Sequence, residues 1–301
     1  MIARSPGLVA KPLKSLMSLL ALCSVASSAQ AESRLDAHYL ISMIGVTIGQ
    51  ISWTIDIGAD AYKTSASGKA SGALSILVNG EGSIATNGIL ERSTVENGAH
   101  DSWRLTPTFF TSSVTEDGEF AGLQMTFENG SVKTLRADEL MRKSMRTSGR
   151  VPVSEANRRD VSDPLSAMII ARPSNEIFPA PAACDRVLKI FDGQRRYDLS
   201  LSFKRADTMK IVHGYAGPVL VCSVLLVPIS GYRAGSMLVK YVGGQRNMEI
   251  WFAPMSGTGL IAPVRVLMPT MIGTLEIAAD RFELIALKSL PTPAGSAQPR
   301  P

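Results

Sequence analysis

Turn dipeptides punctuate this chain: Asp117-Gly118, Asn129-Gly130 and Asp192-Gly193 each stand between two short runs in which apolar and polar residues alternate. Asp-Gly and Asn-Gly accept the positive-φ backbone of tight hairpins, and a period of two turns one side of each run toward a core. The pattern predicts antiparallel β-structure along most of the chain. Residues 37–57 read as one long curved strand, with Gly45 and Gly49 marking bulges or bends. A polar partner strand follows over 60–69. Strand-like runs continue over 82–93, 102–110 (broken at Pro107), 109–115, 123–128 and 131–135. They resume over 184–191, 195–203, 209–215, 219–227, 236–242, 247–252, 262–268 and 270–287.

The middle differs. Residues 136–145 are charged and free of glycine, compatible with a helix or a loop. Residues 161–171 carry a helix start: Asp163 suits the N-cap, Pro164 suits the first helical position, where its missing N–H has no partner to lose, and Leu165, Met168 and Ile169 follow at helical spacing. Many short strands with few helices give a mainly β fold. We expect a curved antiparallel sheet, an open or closed barrel or a half-barrel, with one or two short covering helices.

The first 31 residues have a different character. Arg4, Lys11 and Lys14 are followed by the apolar run 16–26 and by Ala29-Gln30-Ala31, the order of an export signal with cleavage after Ala31. The apolar run is about half of the ~20 residues a membrane-spanning helix needs. A retained anchor and lipidation at Cys23 are the alternatives, the latter disfavoured by the bulky Leu22. The expected organisation is a signal peptide at 1–31, one β-rich periplasmic domain at 32–288 and a Pro-rich disordered tail at 289–301. No later segment is apolar enough to span a bilayer as a helix. Of three cysteines, Cys23 leaves with the signal. Cys184 and Cys222 remain, a disulfide in an oxidising compartment or two separate buried thiols.

Charge excludes one class of partner. The formal net charge is +5, but removing the three basic residues of the leader leaves 28 basic against 26 acidic residues. They interleave without a basic run, so nucleic acid is not an expected partner. His38, His100 and His213 are scattered, without metal-ligand spacing. No Gly-x-Ser-x-Gly elbow occurs. Residues 80–85 match a dinucleotide-type glycine pattern, but Thr86-Asn87-Gly88 follows where a helix would have to open, so a β-turn is the reading. Asp192, Asp198, Glu249 and Glu276 are carboxylates of the type glycosidases use, with no pairing evident from spacing. No cofactor is implied.

Two features suit a ligand. Arg195, Arg196 and Tyr197 beside Asp192 form a cluster able to grip an anion, or else a solvated hairpin face. Trp53, Phe109, Phe110, Phe191, Tyr215, Tyr232, Tyr241, Trp251, Phe252 and Met255 fall mostly in strands, as core packing first and as a cavity lining second.

Three stretches carry a family resemblance: Asp163-Pro164-Leu165-Ser166-Ala167, the hairpin 187–199 and the segment 222–232. With the leader and the opening segment 39–49, they resemble domain-of-unknown-function family 3108, exported proteins of Gram-negative bacteria. The resemblance implies β-rich architecture and a cell-envelope role, and supplies no catalytic residues. At the level of fold the plan is also similar to periplasmic lipoprotein carriers, in which a curved sheet with helical cover binds acyl chains. The expected function is a non-enzymatic periplasmic envelope protein binding a lipid, lipoprotein or other envelope component. The alternatives are an envelope hydrolase acting on a glycan or peptide, and an interaction protein without a ligand.

Overall fold

The computed structural model describes residues 32–70, 80–93, 102–146, 148–173 and 177–287. The expected signal segment, Cys23, His100 and the 289–301 tail lie outside them. The first half is a meander: β1 (Glu32–Met43), β2 (Val46–Ile57), β3 (Ala61–Ala70), β4 (Gly80–Ser93), β5 (Ser102–Glu116), β6 (Glu119–Glu128) and β7 (Ser131–Ala137). Two short helices follow, α1 (Glu139–Met145) and α2 (Pro164–Met168), then β8 (Ile170–Ala171) and a 3-10 turn over Pro181–Ala183. The second half contains β9 (Arg186–Phe191), β10 (Arg196–Lys210), β11 (His213–Gly214), β12 (Ala216–Ser230), α3 (Met237–Gly244), β13 (Met248–Met255), β14 (Leu260–Thr270) and β15 (Gly273–Leu287).

The strands form one sheet in the order β7-β6-β5-β4-β3-β2-β1-β15-β14-β13-β12-β10-β9. All of these pairings are antiparallel, and only the short β11 runs parallel to its partner β15. β1 and β15 join the two halves over Glu32↔Leu287 to Met43↔Leu275. The sheet does not close: β7 and β9 are its ends. Bulges such as those at Ile41/Ser42, Asn87/Gly88 and Trp251/Phe252 increase the bend. The ends curl toward each other. Val161 N donates to Gly130 O in the β6–β7 turn (2.9 Å), while Ser162 bridges β9. Phe191 from the far end joins Phe110, Leu123, Met125, Phe127 and Val161 in one buried cluster.

Inside the curl, Leu35, Tyr39, Trp53, Ile55, Tyr62 and Leu90 pack against Val219, Val221, Leu260 and Phe282, with Leu165 of α2 and the following Ile169 among them. The opposite faces of β12 and β13 are also buried, through Leu220, Cys222, Ile250 and Phe252, under Ala167, Ile170 and Cys184. These strands are covered on both sides, which explains their near-continuous apolar sequence.

Asp163 caps α2 as its sequence requires, but lies far deeper than a surface cap. It is 0 % exposed, and its Oδ1 accepts from Leu165 N (2.9 Å) and Ser166 N (3.0 Å). Its Oδ2 faces Ser166 Oγ (2.5 Å) and Thr86 Oγ1 (3.1 Å), and Tyr62 Oη lies 2.6 Å from Ser166 Oγ. Glycine is required at position 88 below this cluster, because a Cβ there would lie 2.2 Å from Thr106 O and 2.6 Å from Tyr62 Oη.

Several sequence expectations are corrected. Residues 37–57 are a hairpin rather than one strand, because Ile44 and Gly45 both take positive φ (52° and 78°) and reverse the chain. Gly49 does sit at a bulge. Pro107 lies within β5 without breaking it, next to the extra residue of a bulge. Residues 236–242 belong to α3 instead of a strand. Ser236 caps that helix through Val239 N (3.4 Å), and the helix packs on the last third of β12, where Gly243 approaches Pro228 and Leu226 beyond the Leu220–Val224 stretch that pairs with β13. Among the described residues three α-helices lie against the sheet, where one or two were expected. Residues 209–215 are divided between the end of β10 and β11.

Candidate functional site

The hairpin carrying Arg195, Arg196 and Tyr197 is built by Asp192, whose Oδ1 accepts from Gln194 N (2.8 Å) and Arg195 N (2.6 Å), and by Gly193 at φ 93°. Strand alternation then separates the three residues. Arg196 points away from its neighbours: its side chain is 7 % exposed and binds Asp198 Oδ1 (2.6 Å) and Tyr197 O (2.7 Å). It is consumed by a buried ion pair and leaves the expected anion cluster. Arg195 and Tyr197 share the other side and face a common cavity.

That cavity owes its second wall to the chain after β12. Gly231 takes φ 80°, and a Cβ there would lie 1.9 Å from Gln194 O, so the β12 exit packs directly on the β9–β10 turn. Gly231 N donates to Val151 O (2.8 Å), Val151 N to Tyr232 O (2.8 Å) and Arg150 Nη1 to Gly231 O (2.6 Å). These bonds bring Arg150 and Arg233 to Tyr232, whose ring lies 6.0 Å from the Arg195 guanidinium. The resulting pocket of about 360 Å³ has Leu226, Val239 and Val242 as its apolar wall. Through Arg195, Leu226 and Tyr232 it continues into a cavity of about 310 Å³ lined by Met168, Leu199, Val224 and Ile250.

Three guanidiniums thus meet Asp192, which lies 3.7 Å from Arg195 Nη1, while Glu249, the other acid lining the cavity, is paired with Lys204 and Arg205. Arg150 Nε is buried without a partner. Burial, reinforced by Asp192 and opposed by Arg195, pushes the Tyr232 phenol up to about 12, and burial pushes Tyr197 up as well. Both hydroxyls are neutral donors at pH 7. The arrangement suits an anionic group at the mouth and an apolar chain behind it.

The four carboxylates noted in the sequence are each held separately. Asp192 builds the turn, Asp198 holds Arg196, and Glu276 binds Arg265 (2.7 Å). Glu249 binds Lys204 Nζ (2.7 Å), Arg205 Nη1 (3.3 Å) and Trp251 Nε1 (2.8 Å). The Trp251 ring lies between the guanidiniums of Arg205 (5.0 Å) and Arg265 (4.9 Å). Burial alone would raise the Glu249 pKa, but the bonds from Lys204, Trp251 and Arg205 bring it down to about 2. A depressed carboxylate stabilises the fold above its unfolded value of about 4.5, and that contribution is lost as pH falls through about 2. Because Lys204 is 39 % exposed, the contribution is on the order of 2 kcal/mol. Glu249→Gln is therefore expected to lower stability at pH 7 and to narrow its gap to the parent protein between pH 4.5 and 2, as followed by urea midpoints.

His38 binds Asp280 Oδ1 (2.6 Å), and His213 lies exposed in β11. No group of three His, Cys, Asp or Glu among the described residues could hold a metal ion. Residues 80–85 are strand, in β4. Trp53, Phe110, Phe191, Trp251, Phe252 and Met255 are core, whereas Tyr232 reaches the cavity. No helix among the described residues is long and apolar enough to cross a membrane. Cys184 and Cys222 are joined, with S–S 2.02 Å and Cα–Cα 5.6 Å. Sequence reasoning missed Arg150, Arg233, Val239 and Val242, which no local spacing ties to the hairpin.

The model of a family described as a protein of unknown function, DUF3108, matches residues 37–280. The chain belongs to that family. The match takes in the α2 cap, the 187–199 hairpin and the 222–232 segment, so the residues that build the cavity's turn and its Tyr232 wall are family territory. Among solved structures, the chain is similar to a β-barrel-like protein of domain of unknown function DUF1849 from Brucella abortus. That similarity has 8% identity and a TM-score of 0.38, covering 85% of this chain and 98% of that one. No curated protein matches the chain.

Proposed function

We propose that this chain is a non-enzymatic periplasmic envelope protein that binds an anionic amphiphile, with the charged group at Arg150, Arg195 and Arg233 and the apolar chain in the adjoining cavity. The observation that carries the reading is the convergence of Arg150, Arg195 and Arg233 on the mouth of an apolar pocket whose lining acids are Asp192, beside Arg195, and Glu249, already paired with Lys204 and Arg205. Both cavity volumes fall within the ~300–1,000 Å³ typical of ligand sites. The basic leader, the apolar run and Ala29-Gln30-Ala31 support export, and the Cys184–Cys222 bond suits an oxidising compartment.

Calorimetry with dodecyl phosphate and, as a neutral control, dodecanol tests the reading. Charge-assisted hydrogen bonds contribute about 1.5–3 kcal/mol each, so Arg195→Gln with Arg233→Gln is expected to weaken dodecyl phosphate at least tenfold and leave dodecanol unchanged. Shortening the alkyl chain is expected to cost about 0.8 kcal/mol, roughly fourfold, per methylene. Equal affinity of dodecyl phosphate for the parent and the double variant would sink the proposal.

A further inference from the structure

A second opening lies on the other side of α2, where the sheet fails to close. Its walls are the first half of β5 and the outer edge of β9, and α2 with β8 forms its floor. The slot measures about 1110 Å³, above the ~300–1,000 Å³ of ordinary small-molecule pockets.

Both walls present unpaired backbone. Residues Ser102–Thr108 of β5 have β4 on one side, and pairing with β6 begins only at Phe109. On β9, Lys189 O accepts from Ser162 N (2.8 Å) and Phe191 N donates to Ser162 O (2.9 Å), so residues 187, 189 and 191 turn their backbone groups away from β10. Ser162 covers one end of this edge. The N–H and C=O of Val187 and the N–H of Lys189 have no backbone partner among the described residues. Exposed edges of this kind are ordinarily shielded by a bulge, a charge or a covering segment. Here two of them face one groove.

The side chains define what fits. Arg104, Arg186 and Lys189 line the slot. Arg186 donates to Ala171 O (3.1 Å), while its Nε is buried without a partner. The lining acids are Glu91, Glu128 and Asp160, of which Glu128 is paired with Lys133 (2.7 Å), so the charge that singles out a carboxylate is the partly unpartnered Arg186 guanidinium rather than a basic surplus. Trp103, Leu105, Ile169 and Val187 supply apolar contacts, Val187 being 52 % exposed.

From these observations we infer that the slot takes an extended, carboxylate-bearing peptide segment of a partner protein as an added strand between β5 and β9, with the carboxylate at Arg186. An acyl chain could fill the volume but would leave both backbone edges and the guanidinium unmatched. A peptide satisfies all three, because main-chain hydrogen bonds give affinity in strand addition and side chains give specificity.

The probe is a random decapeptide library displayed on phage, selected on the folded full chain. Enriched peptides are then measured singly, with hydrogen exchange to locate them. Protection is expected at the amides of Ser102–Thr108 and of Val187 and Lys189. Val187→Pro removes an outward N–H without touching the β10 ladder, and proline is tolerated on a sheet edge. It is expected to weaken the peptides at least tenfold while leaving the circular dichroism spectrum and the thermal melt as in the parent, which shows that the fold survives. Arg186→Gln is expected to weaken acidic peptides more than their amidated counterparts. The inference is overturned if no sequence is enriched, if protection falls elsewhere, if Val187→Pro binds as well as the parent, or if phosphatidylglycerol vesicles protect those same amides. The amphiphile site does not share these residues, so either proposal can fail without the other.

Discussion

Replacing Cys184 and Cys222 together by alanine is expected to lower the unfolding free energy by about 4 kcal/mol, the loop-closure value for a cross-link spanning 38 residues. The bond ties the 3-10 turn after β8 to β12, and both cysteines are 0 % exposed within the core that covers the outer face of β12 and β13. Without it, the segment carrying Ala183 must hold its place over Leu220 and Phe252 by packing alone. Urea unfolding of the oxidised parent, the reduced parent and the double variant measures the effect. Coincident midpoints for all three would show that the cross-link contributes nothing to the folded state. A partial loss, shared by the reduced parent and the variant, would measure how much order the unfolded chain retains.

The second large effect is expected at Asp163, and it depends on which residue replaces it. Burial pushes this carboxyl up, against the hydrogen bonds from Ser166, Thr86 and Leu165 that favour its charged form. Thr86 Oγ1 has one hydrogen, yet lies 2.8 Å from Phe109 O and 3.1 Å from Asp163 Oδ2. A protonated Asp163 resolves the conflict: it donates to Thr86, and Thr86 donates to Phe109 O. Asparagine reproduces that pattern, keeping the two backbone bonds through its carbonyl and donating through its amide. Asp163→Asn is therefore expected to cost about 1 kcal/mol or less, whereas Asp163→Ala loses the cap and strands buried hydroxyls, at a cost of about 3 kcal/mol or more. The sign of the pH dependence follows. A carboxyl raised in the fold stabilises most below its unfolded value of 3.8, and this contribution is lost as pH rises toward the folded value. The Asn variant should lack that loss. Thermal melts of the three proteins at pH 4 and pH 7 separate the outcomes, and equal destabilisation by Asn and Ala would rule out the protonated cluster.

Local signals in the sequence were accurate where the structure they specify is itself local. Asp117-Gly118 and Asn129-Gly130 form two-residue hairpins, because two residues and their own dihedrals suffice to reverse the chain, and Asp192-Gly193 opens a four-residue turn closed by the Asp192 carboxylate. Asp163-Pro164 starts a helix for the same reason. Ile44-Gly45 makes the same kind of turn with a residue that ordinarily avoids positive φ, so it read as strand. Met237–Gly244 is rich in β-formers, and its helix was hidden because it depends on the Ser236 cap together with packing against the Leu226–Pro228 stretch of β12, a fact about neighbours.

The candidate site follows the same division. Arg195, Arg196 and Tyr197 were visible as a cluster because they are adjacent in the chain, but adjacency in a strand means opposite faces, and the side of each depends on which face the core takes. Arg196 went to Asp198, while Arg195 and Tyr197 went to the cavity. Arg150, Arg233 and α3 came to the same place through backbone bonds between segments distant in sequence. The sequence by itself determined the β-rich class, the hairpin turns, the α2 cap and the family resemblance, because period, turn chemistry and capping act over a few residues. The tertiary structure alone decided that the sheet stays open, that three arginines meet over an apolar pocket, and that two unpaired strand edges face one slot, because each depends on how far a continuous sheet curls before its ends meet.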